Sequence, residues 1–363
     1  MRRLLSVSLL PVAAGLLALA ALGPGWTQAA AAASGASLLV IAALLLRVPP
    51  QVGVSVVATV WVVSGLGLAL WNVSDTFRYR VRTFVEGPQG VGIWRTDDRY
   101  GYTHIPGVTG RHVVAESFDV VYTIDASGCR ATPTPERPRK RVLFLGGSVT
   151  FGHGVAAGQS YPGVLAHRYW PNAKVKNCSV GGWGTAQAYL KLEDELASGP
   201  VPDVVLYGWT QDHLRRNYIK RGWVTAMAAY GRRHPWFDIE RGNLVYHGTI
   251  GPEGSVPPNP RTSRRSIRVT IRLLTGMHDM ARAAGARFAL IRMGSAVSGR
   301  ADTVKLGFET KILAAVRKYG VVILDAREAR GAPLPFDFHP DARWHAEAAA
   351  LLAALPALRD LSE

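Results

Sequence analysis

One stretch of sequence decides the fold: Val142-Leu143-Phe144-Leu145-Gly146-Gly147-Ser148. Four consecutive apolar residues ended by two glycines predict a short strand that is buried on both faces and followed by a tight turn. Apolar runs and helical patterns alternate after it. Further strands are predicted at Ala173–Val180, Val204–Tyr207, Phe288–Ile291 and Val321–Leu324. This alternation predicts an α/β domain over residues 141–363, with helices on both faces of a parallel sheet.

The segments between these strands have the apolar spacing of helices. The predicted helices are Ser160–Tyr169, Thr185–Leu196, Ile267–Ala284, Val304–Tyr319 and Ala342–Leu355. Residues 214–263 interrupt the alternation, and their Arg, Trp, Gly and Pro content predicts an insertion over the edge or the active end of the sheet. Residues 75–140 are predicted to form a lead-in segment with short β-like runs and a proline-rich linker.

The first 74 residues differ in composition from the rest, because no Asp or Glu occurs before Asp75. Three apolar stretches, Leu4–Leu22, Ala29–Leu46 and Val52–Trp71, are each long enough to cross a hydrocarbon layer of ~30 Å. They predict a membrane region with about three transmembrane helices. A cleaved signal peptide is the alternative for the first stretch, but two more apolar stretches directly after it favour a retained span.

The basic residues around these stretches predict the orientation. Arg2, Arg3 and Arg47 favour a cytoplasmic N-terminus and second loop, which places the domain after the third span outside the cytoplasm. Arg78, Arg80 and Arg82 argue for the reverse orientation. The outside placement is preferred, because long domains are translocated largely regardless of their charge.

Composition excludes several classes of protein. The chain of 363 residues is 48% hydrophobic and 19% charged, so it is not a disordered protein. A net charge of +16 would suit a protein that binds nucleic acid. No nucleic-acid-binding motif accompanies the charge, so nucleic acid is not expected as a partner. The arginines at 261, 264, 265, 268 and 272 form either a solvated helix face or a contact for lipid head groups or an acidic glycan. Two cysteines, Cys129 and Cys178, exclude a cysteine-based zinc site, and whether they are joined stays open.

Four short segments carry groups that can do chemistry, and three of them directly follow predicted strands. In the first, Ser148 follows a buried strand and two glycines, which suits a nucleophile or a helix N-cap. In the second, residues 177–185, glycines let backbone N–H groups approach a substrate oxygen. The third, residues 207–213, holds amide, carboxylate and imidazole groups beyond a strand. Asp337 and His339 in the fourth suit an orienting carboxylate and a base.

Together the four segments resemble the SGNH/GDSL hydrolase superfamily in their order and spacing. Gly146-Gly147-Ser148 resembles the first block of that family, with Gly147 where an Asp often stands. Gly182 resembles the glycine of the second block, and the stretch from Gly208 to Asp212 resembles the third block. Asp337 and His339 resemble the last block. The resemblance covers roughly Gly92 to the C-terminus.

The resemblance implies a flavodoxin-like three-layer α/β/α fold and a Ser/His/Asp esterase or acyltransferase. By that analogy Ser148 is the nucleophile, His339 the base and Asp337 the residue that orients it. The N–H groups of Ser148 and Gly182 and the side chain of Gln211 would form the oxyanion hole. The family has Asn at the position of Gln211 and two residues between the last Asp and His, so His345 competes with His339 for the role of base.

The sequence therefore predicts a membrane-anchored esterase or acyltransferase acting on O-acyl, chiefly O-acetyl, esters of a cell-envelope glycan. In a bacterium it would be a multi-pass inner-membrane protein with its catalytic domain on the periplasmic or extracellular side. No cofactor or metal is expected; Asp212 and His213 are the alternative metal ligands. Two other hypotheses are a non-catalytic, membrane-tethered glycan-binding or assembly protein and a lipid esterase.

Overall fold

A computed structural model describes residues 92–114, 116–217, 233–251, 263–293, 303–335, 337 and 339–362. These residues belong to one compact unit, Gly90–Glu363. The three predicted membrane spans lie outside the described residues. Within the part of the chain that the structure describes, no helix combines the length and the apolar character needed to cross a bilayer.

The described strands fall into a lead-in group, a central group and a hairpin. The lead-in strands are β1 Trp94–Asp97, β2 Gly101–His104, β3 Thr109–Val114 and β4 Phe118–Thr123. The central strands are β5 Lys140–Gly146, β6 Ala173–Asn177, β7 Val204–Trp209, β10 Arg287–Arg292 and β11 Val322–Asp325. The hairpin strands are β8 His234–Glu240 and β9 Asn243–Ile250.

The helices connect the central strands and close the chain. The α-helices are α1 Ser148–Phe151, α2 Tyr161–Val164, α3 Thr185–Ser198, α4 Gln211–Arg216, α5 Ser263–Ala283, α6 Thr303–Tyr319 and α7 Ala342–Ala353. A π-helical turn, Leu165–Tyr169, continues α2, and 3-10 turns cover Ala157–Gln159 and Pro356–Leu361. The single helix predicted at 160–169 is therefore α2 followed by a π turn.

The central sheet has five parallel strands in the order β11-β10-β7-β5-β6. This is the flavodoxin-like order, in which the chain starts at β5, adds β6 on one side and then crosses to β7 on the other. The predicted α/β class with a parallel sheet is confirmed. The order also places a topological switch point between β5 and β7, where the carboxyl ends of such sheets form a ligand crevice.

Strand β5 shows why the opening stretch of sequence specifies a sheet buried on both faces. Val142 and Phe144 point into one apolar cluster, and Leu143 and Leu145 point into another. The first cluster includes α7 residues and the second includes residues of α3, α5 and α6. Because successive side chains of a strand alternate between its faces, four apolar residues in a row serve two separate cores.

Two regions outside the central sheet pack against one another and against α3. Residues 214–263, predicted as an insertion, contain the antiparallel β8–β9 hairpin. Its Phe237 joins a cluster with Tyr100 and Tyr102 of the lead-in region and with Trp183. The lead-in region thus contributes to the core beside the second of the four segments.

Cys129 and Cys178 form a disulfide, which answers the question that the sequence left open. The bond joins the end of the lead-in region to the residue after β6, across 49 positions of sequence. Both cysteines are buried.

We expect the Cys129→Ser/Cys178→Ser double variant to lose about 4 kcal/mol of unfolding free energy, because opening a loop of this length restores entropy to the unfolded chain. Urea unfolding of the two proteins measures the difference. An equal stability of variant and wild type would show that the covalent link does not constrain the unfolded state.

Candidate active site

The first segment forms a sharp turn from β5 into α1. Gly147 is the N-cap of α1 and Ser148 is its first residue, so the Ser148 N–H has no partner within the helix. Gly146 lies opposite Gly208 in the sheet, and Thr150 of α1 packs over the pair. A Cβ atom at Gly208 would lie 2.1 Å from Thr150 Oγ1, so glycine is needed there for α1 to approach the sheet.

Three side chains from two distant parts of the chain form one hydrogen-bonded chain. Ser148 Oγ lies 2.7 Å from His339 Nε2, and His339 Nδ1 lies 2.5 Å from Asp337 Oδ1. A carboxylate only accepts hydrogen bonds, so the imidazole proton sits on Nδ1 and the lone pair of Nε2 faces the serine hydroxyl. The predicted convergence of Ser148, His339 and Asp337 is present in the structure.

Asp337 is held as a carboxylate in a buried position, with only 1% of its side chain exposed. Burial by itself raises the pKa of this carboxyl, but hydrogen bonds from His153 and His339 and the charges of these imidazoles outweigh burial and lower the pKa below its ordinary value. The backbone N–H of His339 also donates to Asp337 Oδ1, at 2.8 Å. Asp337 therefore stays ionised at neutral pH.

The loop between β11 and α7 is tied by backbone hydrogen bonds and presents Asp337 and His339. The N–H of Leu334 donates to the carbonyl of His339 at 2.8 Å, and the N–H of Asp337 donates to the carbonyl of Leu334 at 3.0 Å. The loop then ends at Asp341, whose side chain caps α7 by accepting from the N–H of Trp344. These bonds allow a spacing of one residue between Asp and His to bring both side chains into line.

The second segment turns tightly beyond β6. The N–H of Trp183 donates to the carbonyl of Val180, and Gly182 has a φ of 82°, which favours glycine. The lead-in strand β2 fixes this turn, because the Tyr102 hydroxyl donates to the Gly181 carbonyl at 2.9 Å and Trp183 Nε1 donates to the Tyr102 carbonyl at 2.9 Å. The predicted second-block glycine thus lies in a turn held by Tyr102, a residue that the sequence analysis did not single out.

The third segment places Gln211 at the start of α4 with its side chain on a buried ion pair. Gln211 Nε2 donates to Glu309 Oε2 at 3.2 Å, and Arg292 Nη2 lies 2.8 Å from the same oxygen. The longer side chain of glutamine reaches this pair, which joins the last residue of β10 to α6. The structure shows this contact for Gln211, and its role as a third oxyanion donor stays a prediction.

His345, the alternative base, lies in the protein core. It is fully buried, its ring stacks on Tyr161, and its Nδ1 accepts from the N–H of Tyr161 at 3.2 Å. Burial lowers the pKa of His345 to about 3, with the charges of Arg130 and His339 adding to the effect. The histidine that contacts Ser148 is therefore His339, and His345 has a structural place in the core.

Metal-ligating atoms come within 4.8 Å of one another in three groups of the described residues. Two of these groups have other uses: Cys129 and Cys178 are joined covalently, and Asp238 pairs with Arg265. The third group is His153, Asp337 and His339. His213, the alternative ligand from the sequence, is buried with Nδ1 2.7 Å from the Tyr207 hydroxyl.

Arg130 supports the turn that follows the serine, and the sequence analysis gave it no role. Its buried guanidinium donates to the carbonyls of Gly152 and Val155, at 2.6 Å each, and to that of Phe151. The carbonyls of Phe151 and Gly152 lie at the C-terminal end of α1, where a cation is favourable. The sequence signal was its position next to Cys129, directly before the linker.

Comparisons with known proteins found similarity only among solved structures, since no family model and no curated protein matches the chain. A lipolytic protein of the G-D-S-L family from Veillonella parvula has 10% identity and a TM-score of 0.38, covering 60% of this chain and 98% of its own. A catalytic mutant of an acetylxylan esterase from Geobacillus stearothermophilus has 13% identity and a TM-score of 0.37, covering 62% and 95%.

A carbohydrate acetylesterase family member from Sinorhizobium meliloti has 13% identity and a TM-score of 0.38, covering 61% of this chain and 98% of its own. Similarity at this level does not establish an activity, so the assignment of the site depends on the geometry of its own residues.

Proposed function

We propose that the domain is a serine esterase or acyltransferase in which Ser148, His339 and Asp337 act as nucleophile, base and orienting carboxylate. The observation that supports this proposal is the unbroken hydrogen-bonded chain from Ser148 Oγ through both ring nitrogens of His339 to Asp337. The chain lies at the carboxyl end of β5, beside the switch point of the sheet. A hydroxyl activated in this way is suited to attack an acyl carbonyl.

The reaction proceeds through an acyl-enzyme. Ser148 Oγ attacks the carbonyl carbon of the ester while His339 Nε2 takes the hydroxyl proton, and Asp337 stabilises the imidazolium that forms. The tetrahedral intermediate collapses, the alcohol leaves with the proton from His339, and the acyl group stays on Ser148. Water or a second hydroxyl then attacks the acyl-enzyme, with His339 again as base, to give hydrolysis or transfer.

The developing oxyanion needs hydrogen-bond donors that are already in place. The N–H of Ser148, at the start of α1, and that of Gly182, in its tight turn, are proposed to supply two of them. Gln211 is the proposed third donor, because its amide nitrogen carries two hydrogens and the contact with Glu309 uses one of them.

We propose an O-acetyl group on a cell-envelope glycan as the substrate of this site. The family resemblance supports an ester, and the predicted membrane spans before the domain support a substrate at the envelope. The disulfide fits a domain outside the reducing cytoplasm. Two of the similar structures are an acetylxylan esterase and a carbohydrate acetylesterase family member, which makes acetylated polysaccharides the first substrates to test.

Active-site labelling tests the proposal directly. The full chain is treated with a fluorophosphonate, and the modified peptide is located by mass spectrometry. We expect one adduct, on Ser148, whose formation is prevented by prior denaturation. No adduct on the folded protein would favour the non-catalytic glycan-binding protein, and an adduct on another serine would refute Ser148 as the nucleophile.

The chain length of the acyl group separates the remaining candidates. We expect faster turnover of acetyl esters than of long-chain esters, since the proposed substrate carries acetyl. A strong preference for long chains would indicate a lipid esterase instead.

A further inference from the structure

A second imidazole, that of His153, binds the carboxylate of Asp337. His153 Nε2 lies 3.2 Å from Asp337 Oδ2, the oxygen that His339 leaves free. The two imidazole rings lie side by side, with centroids 4.1 Å apart. His153 sits in the turn after α1, five residues beyond Ser148, so it approaches Asp337 from the nucleophile's side of the site.

The hydrogen-bond chemistry fixes the protonation of His153. Asp337 is ionised and can only accept, so Nε2 of His153 carries a proton and donates it. Asp337 therefore receives three donors: the ring and the backbone N–H of His339 on one oxygen, and His153 on the other. Without His153, the buried Oδ2 atom would lose the partner that the structure shows for it.

We propose that His153 is a positioning residue that holds the second oxygen of Asp337 and thereby sets the basicity of His339. This inference rests on the proposed function, because the basicity of His339 matters only if His339 takes the proton of Ser148. A hydrogen bond to Oδ2 draws negative charge away from Oδ1, so His339 faces a weaker acceptor than it would beside an unshared carboxylate.

The groups that surround His153 keep it a neutral donor. His112 of β3 contacts it edge to face at 5.2 Å, and Arg130 adds a positive charge nearby. Burial lowers the pKa of His153, and the charges of His339 and Arg130 lower it further against the opposing effect of Asp337. Burial and the neighbouring His153 likewise lower the pKa of His112, to about 4.

The Tyr122 hydroxyl completes these surroundings by accepting from the N–H of Gly154 at 2.8 Å. At neutral pH Asp337 is therefore a carboxylate, and His112 and His153 beside it are neutral.

Two substitutions at His153 separate the donor from the ring. His153→Phe keeps a ring of similar size and removes the donor, so Asp337 keeps its full charge for His339. We expect the acid limb of the kcat/KM profile to move to higher pH by roughly half a unit or more, since a stronger carboxylate favours the imidazolium form of His339. We also expect kcat to fall about tenfold, because the carboxylate is less well held.

His153→Gln returns an amide N–H near the position of Nε2 and is expected to restore the wild-type midpoint of the acid limb.

The matched control is His278→Phe. His278 has the same side-chain exposure as His153, 17%, and also lies beside an aspartate, with its Nδ1 3.1 Å from Asp279. It is on α5, outside the site, so its substitution should not move the pH profile. Profiles are measured on the full chain with p-nitrophenyl acetate, together with the pH dependence of fluorophosphonate labelling.

Each result has a definite meaning. A shift in His153→Phe that His153→Gln reverses supports the proposal. Normal labelling of Ser148 in every variant, with the acid limb unmoved in His153→Phe, overturns the positioning role and leaves the proposed function intact. Absence of labelling in the wild-type protein overturns the proposed function and this inference with it.

Discussion

Ser148→Ala is expected to lower kcat/KM for p-nitrophenyl acetate by at least about 10⁴-fold. The substitution removes the proposed nucleophile, the hydroxyl oxygen that lies 2.7 Å from His339 Nε2. Without the nucleophile no acyl-enzyme forms, and the remaining rate comes from binding and from the oxyanion donors. Steady-state kinetics on the purified full chain measures the loss.

The control for Ser148→Ala is Ser266→Ala. Ser266 is a buried serine on α5, away from the site, so its removal should leave kcat/KM within a small factor of wild type. Thermal unfolding of both variants checks that each remains folded. Activity retained by folded Ser148→Ala would refute the nucleophile assignment.

Asp337→Asn is expected to lower kcat by about 10⁴-fold at neutral pH. A neutral amide cannot stabilise the imidazolium that forms when His339 takes the serine proton. It also offers one acceptor oxygen where the structure uses two, because His339 and His153 donate to opposite oxygens of Asp337. One of the two histidines must therefore change tautomer or lose its bond, and both outcomes disturb the base.

The comparison for Asp337→Asn is Asp325→Asn. Asp325 is the last residue of β11, where it pairs with Arg327 and is partly exposed. We expect this variant to keep its kcat. If Asp337→Asn loses less than about tenfold, the carboxylate is not stabilising the imidazolium, and the catalytic chain would consist of Ser148 and His339 alone.

Much of the central fold could be predicted from local pattern. The apolar run at 142–145 indicated β5, because a strand covered on both faces has no polar positions. Boundaries were less predictable: the strand expected at 173–180 ends at Asn177, where the side-chain amide of Asn177 donates to the Thr150 carbonyl and the chain leaves the sheet. That bond is a long-range contact, which a pattern of neighbouring residues does not contain.

The candidate site was predictable where chemistry and position coincide. Ser148 is visible because it follows a predicted strand and a glycine turn. Asp337 and His339 are visible as an acid and a base close together before Pro340. His153 was not visible, because a histidine in a turn has no distinguishing neighbours in sequence. The contact between Gln211 and Glu309 was equally hidden, since these residues lie 98 positions apart.

The sequence by itself determined which elements form, because burial on two faces, glycine turns and helical spacing are properties of residues close together in the chain. It also identified the three side chains that the proposed mechanism uses as nucleophile, base and orienting carboxylate. Only the tertiary structure decided that Ser148 and His339, 191 positions apart, share a proton, and that a second histidine holds their carboxylate. The physical reason is that strand order and loop closure set distances of a few ångströms between remote residues, and these distances depend on how the whole domain packs.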